Sequence, residues 1–471
     1  MRTCARGQRA RARLWSRRRF ARLGVVDPRP RRDGRPHGRT TARDAVVRER
    51  GVDIVVDEST FYRPESAQAR DLGALLARSH GRALERGLDA CDGTCASGAR
   101  FARMAACGVN LRSVTCVDVS ADVRDALNAN LDAHVRSRGV ETSCAFDDSQ
   151  RVFARKWLAG ELYDYVDVDG FGSANFADSA LRIVRHGGYF YATSTDGRAL
   201  CGQNAERCAT AFGNSIVSPS RPSVNETAVR VFIGDVVRRG SALKLRVTPV
   251  FSLFHPHGPV FRVMFRVDKR TELSGYDAFG KDSKHIGFVG YCDACGNTEV
   301  IQRPLVDIFG HNKLSDDDSR ARCSLCAKRE PSTVDRSSQL AISGPMWIGS
   351  LHERETVIAM RSEAEDLGWL EDKSAARGQL SLHDLLHVFE EESDIQLSKV
   401  SHYFRTDELG RKGRARRVPP RDALLDALRA RGFAATRSSF DARGVKTNAS
   451  IDDVIECANR ACVDDDFICI V

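Results

Sequence analysis

The stretch "YVDVDGFGS", Tyr165 to Ser173, sets two carboxylates, Asp167 and Asp169, two positions apart, then a glycine, an aromatic ring and another glycine. In an extended chain residues i and i+2 share a face, so both carboxylates aim at one spot where a strand runs out into its loop. In an open α/β sheet that carboxyl edge is where ligands bind. Methyl transfer to an exocyclic amine on a base needs an acceptor for the N–H hydrogens and an aromatic to hold the ring flat. Asp169 and Phe171 supply both types at that spacing. A capped strand end with an incidental phenylalanine is the plainer alternative.

A second group lies upstream. "LDACDGTCASGAR", Leu88 to Arg100, places small residues between an apolar run and a helical one. Backbone amides at such a helix start can approach a ligand. One strand later "VTCVDVS" ends in Asp118, where an acid in this kind of fold bonds a ribose hydroxyl. A small-residue turn followed by an acid ~20 residues on fits a nucleoside cofactor, NAD or S-adenosylmethionine. The dinucleotide pattern G-x-G-x-x-G is absent, which lowers NAD.

Four of the fifteen cysteines are grouped, as "CDAC" (Cys292, Cys295) and "CSLC" (Cys323, Cys326), with 27 residues between the pairs. That is the ligand count of a closed, structural tetrathiolate zinc site, and the long spacer implies an inserted loop. Others, such as Cys107, Cys116, Cys144 and Cys208, are scattered through apolar segments and read as small core residues in a reducing compartment. "HPHG", with His255 and His257, reads as a turn. "ELGRKGRARRVPP" carries Arg411, Lys412, Arg414, Arg416 and Arg417 without an interleaved acid, a pattern for neutralising phosphates or for a solvated linker.

These groups must be carried by elements. From about residue 84 short apolar runs alternate with amphipathic stretches. "LERGLDAC", "RSVTCVDVS", "ETSCAF", "YDYVDVD" and "GGYFYATST" predict strands. Between them Gly98–Cys107, Ala121–Val135, Gln150–Leu158 and Phe176–Val184 predict helices. Such alternation predicts an α/β fold with a parallel sheet and crossover helices. A helix over Asn225–Arg239 then precedes "ALKLRVTPVFSLF" and "GPVFRVMFRVDK", a hairpin that adds an antiparallel edge. Beyond Lys269 the texture changes, and two further helices are predicted over Glu355–Asp366 and Leu382–Glu392.

At 471 residues, 42% hydrophobic and 29% charged, the chain is globular and too long for one ordinary domain. No window approaches the ~18 apolar residues of a membrane span, so no membrane association is expected. The net charge of +9 comes from the first 43 residues, which hold fifteen arginines against Asp27 and Asp33. In the remainder 57 basic residues face 61 acidic ones, so nucleic-acid contact must rest on local patches. The leader's arginine excess without an apolar core is that of an organellar transit peptide. A mitochondrial or chloroplast destination is expected, with a disordered basic arm of a nuclear or cytoplasmic protein as the alternative.

From about residue 60 to 471 the chain resembles the tRNA (guanine-N2)-dimethyltransferases, which make N2,N2-dimethylguanosine from S-adenosylmethionine. The resemblance is carried by "FYRPESAQARDLG", "DACDGTCASGAR", "DVDGFGS", "ATSTDGRALCG", "GPVFRVMFRV", "SGPMWIGSLHE", "VPPRDALLDALRARGF" and "FDARGVKTNA" in order. Its wording is nearest to a plant and algal branch thought to be organellar. The resemblance implies a leader over 1–43 and a Rossmann-like S-adenosylmethionine-dependent methyltransferase domain over 55–270. It implies an α+β region over 271–471 that carries a zinc knuckle and grips tRNA, in a chain expected to be monomeric. Phe61 and Phe171 would sandwich the flipped guanine, and Asp169 would be the catalytic acid. Arg70 and Arg100 would contact the methionine or adenosine side, Asp118 the ribose, and Asp148 with Ser149 the adenine. The product implied is N2-methyl- or N2,N2-dimethylguanosine at position 26. Three residues depart from the family pattern: Cys95 stands for a glycine, where its Cβ could crowd the cofactor, Ser97 for an arginine and Gly170 for a proline. Two rivals remain: an NAD-dependent reductase, and a tRNA-binding paralogue without turnover.

Overall fold

The computed structural model describes residues 45–58, 60–170, 176–216, 221–256, 258–269, 284–301, 322–329, 339–376, 378–411 and 415–462. The basic leader, Phe171, Lys412 and Arg414 lie outside the described residues. The chain opens with a hairpin, β1 (Ala45–Glu49) and β2 (Val52–Val56), ten residues ahead of the expected domain start. Its turn residues Arg50 and Gly51 both have positive φ, 46° and 79°, the geometry that matches the twist of a two-residue hairpin.

Then come α1 (Ala67–Arg82), β3 (Leu88–Asp92), α2 (Ala99–Ala106), β4 (Leu111–Asp118), α3 (Arg124–His134) and β5 (Glu141–Phe146). They are followed by α4 (Ser149–Leu158), β6 (Tyr163–Val168), α5 (Ala177–Ile183), β7 (Val184–Ser194), α6 (Gly197–Leu200), α7 (Ala205–Phe212) and α8 (Val224–Ala242). Two long strands, β8 (Leu245–His255) and β9 (Val260–Lys269), complete the sheet. Its order is β5-β4-β3-β6-β7-β9-β8. The first five strands are mutually parallel, and β9 runs antiparallel to both neighbours. Every residue of β3 and β6 is buried, which is why acids within them must find cations. Parallel strands covered on both faces have no wet side.

Past Lys269 two small antiparallel sheets follow. One contains β10 (Ile286–Cys292), β11 (Thr298–Ile301) and β12 (Leu340–Trp347); the other β13 (Phe404–Arg405), β14 (Ala435–Ser438) and β15 (Asp441–Thr447). Two helices lie between the sheets, over Arg354–Asp366 and Leu382–Glu392. The composition change marks the end of the large sheet, yet residues 44–471 form one compact unit.

Helix α8 explains this. It is buried against both the large sheet and β12, and a Cβ on Gly234 would lie 3.2 Å from Met346 Cα. Glu226 of α8, fully buried, accepts from Arg230 at 2.7 Å and from Lys446 Nζ of β15 at 3.0 Å. Arg230 also donates to the carbonyls of Trp347 (3.2 Å), Gly349 (2.9 Å) and Val400 (3.1 Å). One buried ionic node thus ties four segments together. Removing one partner of such a node leaves the others under-compensated, at a loss of about 3 kcal/mol. Lys446→Ala is therefore expected to lower the unfolding free energy by that amount. An unchanged urea midpoint would show that the node does not hold the C-terminal sheet.

Candidate active site

The turn after β3, Asp92 to Gly98, is laced to two neighbouring strand ends. Gly93 N donates to Asp167 O of β6 (2.8 Å), Cys95 N to Val117 O of β4 (2.9 Å) and Ala96 N to Asp118 Oδ2 (2.9 Å). Asp118 Oδ1 accepts from Ser120 N at 3.0 Å. Gly93 is required by close approach, since a Cβ there would meet Phe153 Cζ at 2.6 Å. The Ser149 hydroxyl donates to Gly93 O, and the Asp148 carboxylate caps α4 by accepting from Arg151 N at 3.1 Å. Asp118, Asp148 and Ser149 are thereby gathered around one turn. Ser97 is buried, and its carbonyl accepts from Asn130 Nδ2 at 2.9 Å.

Cys95 is buried and also borders the pocket that holds Asp169. Cys95 packs into an apolar cluster with Phe101, Cys116 and Leu127. The left-handed residue is the next one, Ala96, at φ 44°. Alanine there is strained where glycine would not be, at a cost of ~1–2 kcal/mol.

Helix α2 presents Arg100 and Arg103 one turn apart, to different sets of acids. Arg103 pairs with Asp71 of α1 and with Glu49 of β1 (2.5 Å). Glu49 also receives Arg70 Nε at 3.0 Å, and Arg70 donates further to Arg63 O at 3.0 Å and lies 5.0 Å over the Tyr62 ring. Arg70, expected on the cofactor, is thus tied to the hairpin while lining the same pocket. Arg100, expected there too, is shared by three acids. Its Nη1 is 3.5 Å from Asp92 Oδ2, its Nε 2.9 Å from Asp167 Oδ2 and its Nη2 2.5 Å from Asp169 Oδ2. The two carboxylates of the opening stretch meet on this guanidinium.

A second cation reaches the cluster from β9. Arg262, buried, places Nη2 at 3.1 Å and 3.0 Å from the two oxygens of Asp169. Asp169 N donates to Thr94 Oγ1 at 2.9 Å. These neighbours split the acids apart. Burial pushes Asp167 up to about 8, and burial likewise raises Asp92. Burial would raise Asp169 too, but Arg262 and then Arg100 outweigh it and hold its carboxyl below the usual carboxylate range. Environments that push neighbouring acids apart mark an acid–base division of labour. At neutral pH Asp169 is the firmly ionised member.

The pocket in front of Asp169 is bounded by Phe61, Arg63, Ser66, Thr94, Ala96 and Arg100. Phe61 is 59% exposed, a large apolar face at its mouth. The second expected ring, Phe171, lies outside the described residues. Sequence reasoning missed Arg262 and Glu49, and it read His255, the last residue of β8, only as part of a turn. A usable signal existed for Arg262: an arginine inside an apolar strand is buried only with a partner.

Elsewhere, the sulfurs of Cys292, Cys295, Cys323 and Cys326 all lie within 4.8 Å of one another, with Cys292–Cys326 at 3.8 Å and Cys295–Cys323 at 3.5 Å. Tetrahedral zinc with Zn–S ~2.3 Å requires S···S edges of ~3.8 Å, so the donor set fits. Of the basic stretch, Arg416 and Arg417 are described and exposed.

A mostly parallel sheet with a nucleoside-type turn and a charged carboxyl edge is the architecture of a Rossmann-like methyltransferase. Residues 41–459 match the model of the family described as N2,N2-dimethylguanosine tRNA methyltransferase, and the chain belongs to that family. It is 25% identical over 422 residues to the tRNA (guanine(26)-N(2))-dimethyltransferase of Pyrococcus horikoshii, covering 86% of this chain and 94% of the relative. It is 24% identical over 426 residues to the tRNA (guanine(26)-N(2)/guanine(27)-N(2))-dimethyltransferase of Aquifex aeolicus, covering 87% and 92%. The fold is similar to that of Trm1 from P. horikoshii in complex with S-adenosyl-L-methionine, with a TM-score of 0.66, 22% identity and coverage of 88% of this chain and 99% of that one.

The strained turn gives a direct test. Ala96→Gly is expected to keep or raise stability by about 0.5 kcal/mol, the relief of strain exceeding the added freedom of the unfolded chain. Ala96→Val should lose about 2 kcal/mol. Equal melting of both variants would remove the strain from residue 96.

Proposed function

We propose that the protein transfers one or two methyl groups from S-adenosylmethionine to N2 of a guanosine in tRNA, at position 26. The observation that carries this reading is an ionised Asp169, clamped by Arg100 and Arg262 at a pocket in the nucleoside-type turn of a family member. The residues gathered at the turn suit the cofactor: Asp118 for the ribose, and Asp148 with Ser149 for the adenine. When bound, the cofactor supplies an electrophilic methyl group on its sulfonium.

Guanine N2 is a weak nucleophile because its lone pair is delocalised into the ring. Asp169, by accepting one N2–H, holds the amine so that its lone pair localises on N2 and faces the methyl group; such orientation is a large part of what a site can contribute. As the N–C bond forms, N2 becomes positive and its remaining hydrogens acidic, and a fixed carboxylate stabilises that charge. A carboxyl held below its usual range is a poor base toward a neutral amine. Its work is therefore orientation and charge stabilisation, with proton loss following bond formation. N2 carries two hydrogens, so the same contact can serve twice and no more. Phe61 and Phe171 would hold the base flat, each stack contributing ~1–3 kcal/mol.

Cys292, Cys295, Cys323 and Cys326 would hold structural zinc, with no open position for chemistry. Arg411, Lys412, Arg414, Arg416 and Arg417 would neutralise tRNA phosphates. The arginine-rich leader supports import into a mitochondrion or chloroplast, as expected of the plant and algal branch.

Nucleoside mass spectrometry of tRNA incubated with protein and S-adenosylmethionine should detect N2-methyl- and N2,N2-dimethylguanosine, lost when the position-26 guanosine is replaced. Asp169→Asn should lower the rate about 100-fold or more with cofactor binding retained. Full activity in that variant, or methylation confined to another nucleotide, contradicts the reading. Plasma mass spectrometry should find about one zinc per chain, lost in Cys295→Ser; a metal-free, chelator-resistant protein would refute the zinc site.

A further inference from the structure

We infer that Arg262 is a positioning residue for the reaction: it bridges both oxygens of Asp169 and fixes the plane in which that carboxylate meets the guanine amine. The inference rests on the role proposed for Asp169. Its first support is how the cations are shared. Asp92, Asp167 and Asp169 all contact Arg100, so that one guanidinium is divided among three acids. Arg262 brings the second cation, and directs it at Asp169 alone among the three.

The second support is topology. β9 runs antiparallel beside β7, with Arg262 in register with Thr193. The start of β9 therefore lies at the carboxyl edge, where the parallel strands end. A parallel strand in that place would bring its own carboxyl end instead. Ser66 Oγ, at 3.1 Å from Arg262 Nη2, links the same guanidinium to the start of α1 and the pocket wall.

The third is a cost that packing does not explain. Among the described residues, Nε and Nη1 of Arg262 are buried without a hydrogen-bond partner. Each unsatisfied buried donor costs ~1–3 kcal/mol, and a buried ion pair often contributes no more than an apolar replacement would. A residue retained only to fill space would be better apolar. Its hold on Asp169 is the function that outweighs this.

The other groups facing Asp169 are Arg100 from α2, Asp92 from β3, Asp167 from β6, Thr94 from the turn, Thr193 and Tyr191 from β7, and His255 from β8. His255, pushed down to about 3 by burial and by Arg262, stays neutral over the working range. Asp167, near 8, titrates above the acid limb. Asp169 is held low by its cations, so its charge is present above its folded value and is lost only as pH falls through it. Removing Arg262 must raise that value.

The test measures tRNA methylation rate against pH for wild type, Arg262→Gln, Arg262→Lys and Asp169→Asn, with cofactor and tRNA affinity measured in parallel. Arg262→Gln should lose about 100-fold in kcat at neutral pH, with unchanged affinities and an acid limb moved up by about one unit or more. A loss equal at every pH, with the limb in place, overturns the inference. Should Arg262→Gln fail to fold, Arg262→Lys decides. It keeps the charge but replaces a planar guanidinium, tied to Ser66 Oγ at 3.1 Å, with a flexible ammonium, so kcat should fall about tenfold with the limb unmoved; a wild-type kcat overturns the inference. Full activity in Asp169→Asn would instead overturn the reading of the site itself, whatever Arg262 does.

Discussion

Two guanidinium groups set against three buried carboxylates are the constraint from which the rest of the site follows. Acids within fully buried parallel strands must be neutralised, protonated or paired. Here two of these outcomes occur side by side: Asp92 and Asp167 are driven toward their protonated forms, while Asp169 keeps its charge between Arg100 and Arg262. The surrounding elements read as the means of delivering those cations. Helix α2 brings Arg100 and is anchored from behind by Arg103 on Glu49 and Asp71. The hairpin of β1 and β2 supplies Glu49 and packs Val52, Ile54 and Val56 against Ala99 and Ala102 of the same helix. Strand β9 brings Arg262.

The same logic of buried charge joins the C-terminal region to the sheet. Glu226, Arg230 and Lys446 form a node with no solvent to screen it, and α8 lies close enough to β12 that only glycine fits at position 234. A region proposed to grip a large polyanion next to a small pocket would have to hold its distance from that pocket. A rigid ionic joint serves that need better than a linker, because a displacement of about 1 Å at the reacting atoms can cost ~100-fold in rate.

Much of the large sheet was legible because its signal is local. Each apolar run with flanking helix pattern declares itself, and the i, i+2 spacing of Asp167 and Asp169 already implies that both meet one partner. Cys292, Cys295, Cys323 and Cys326 were equally plain, since their pairing is written in the spacing. What escaped notice depends on partners distant in sequence. Arg262 lies 93 residues from Asp169, in a strand whose alternation reads as an ordinary edge, yet β9 is interior, between β7 and β8. Lys446 finds Glu226 across 220 residues. Cys95 stood out as a departure from the family pattern, whereas the left-handed non-glycine residue of the turn is Ala96, a dihedral that composition does not reveal.

The central claim is that Asp169 is a permanently ionised carboxylate rather than a titrating base. Carbon-13 NMR of the protein labelled at aspartate carboxyls, with Asp169→Asn to assign the signal, reads that state directly. The account predicts a carboxylate resonance that stays unchanged from about pH 9 down to about pH 4, the range above an ordinary aspartate. A signal that titrates within that interval would contradict it.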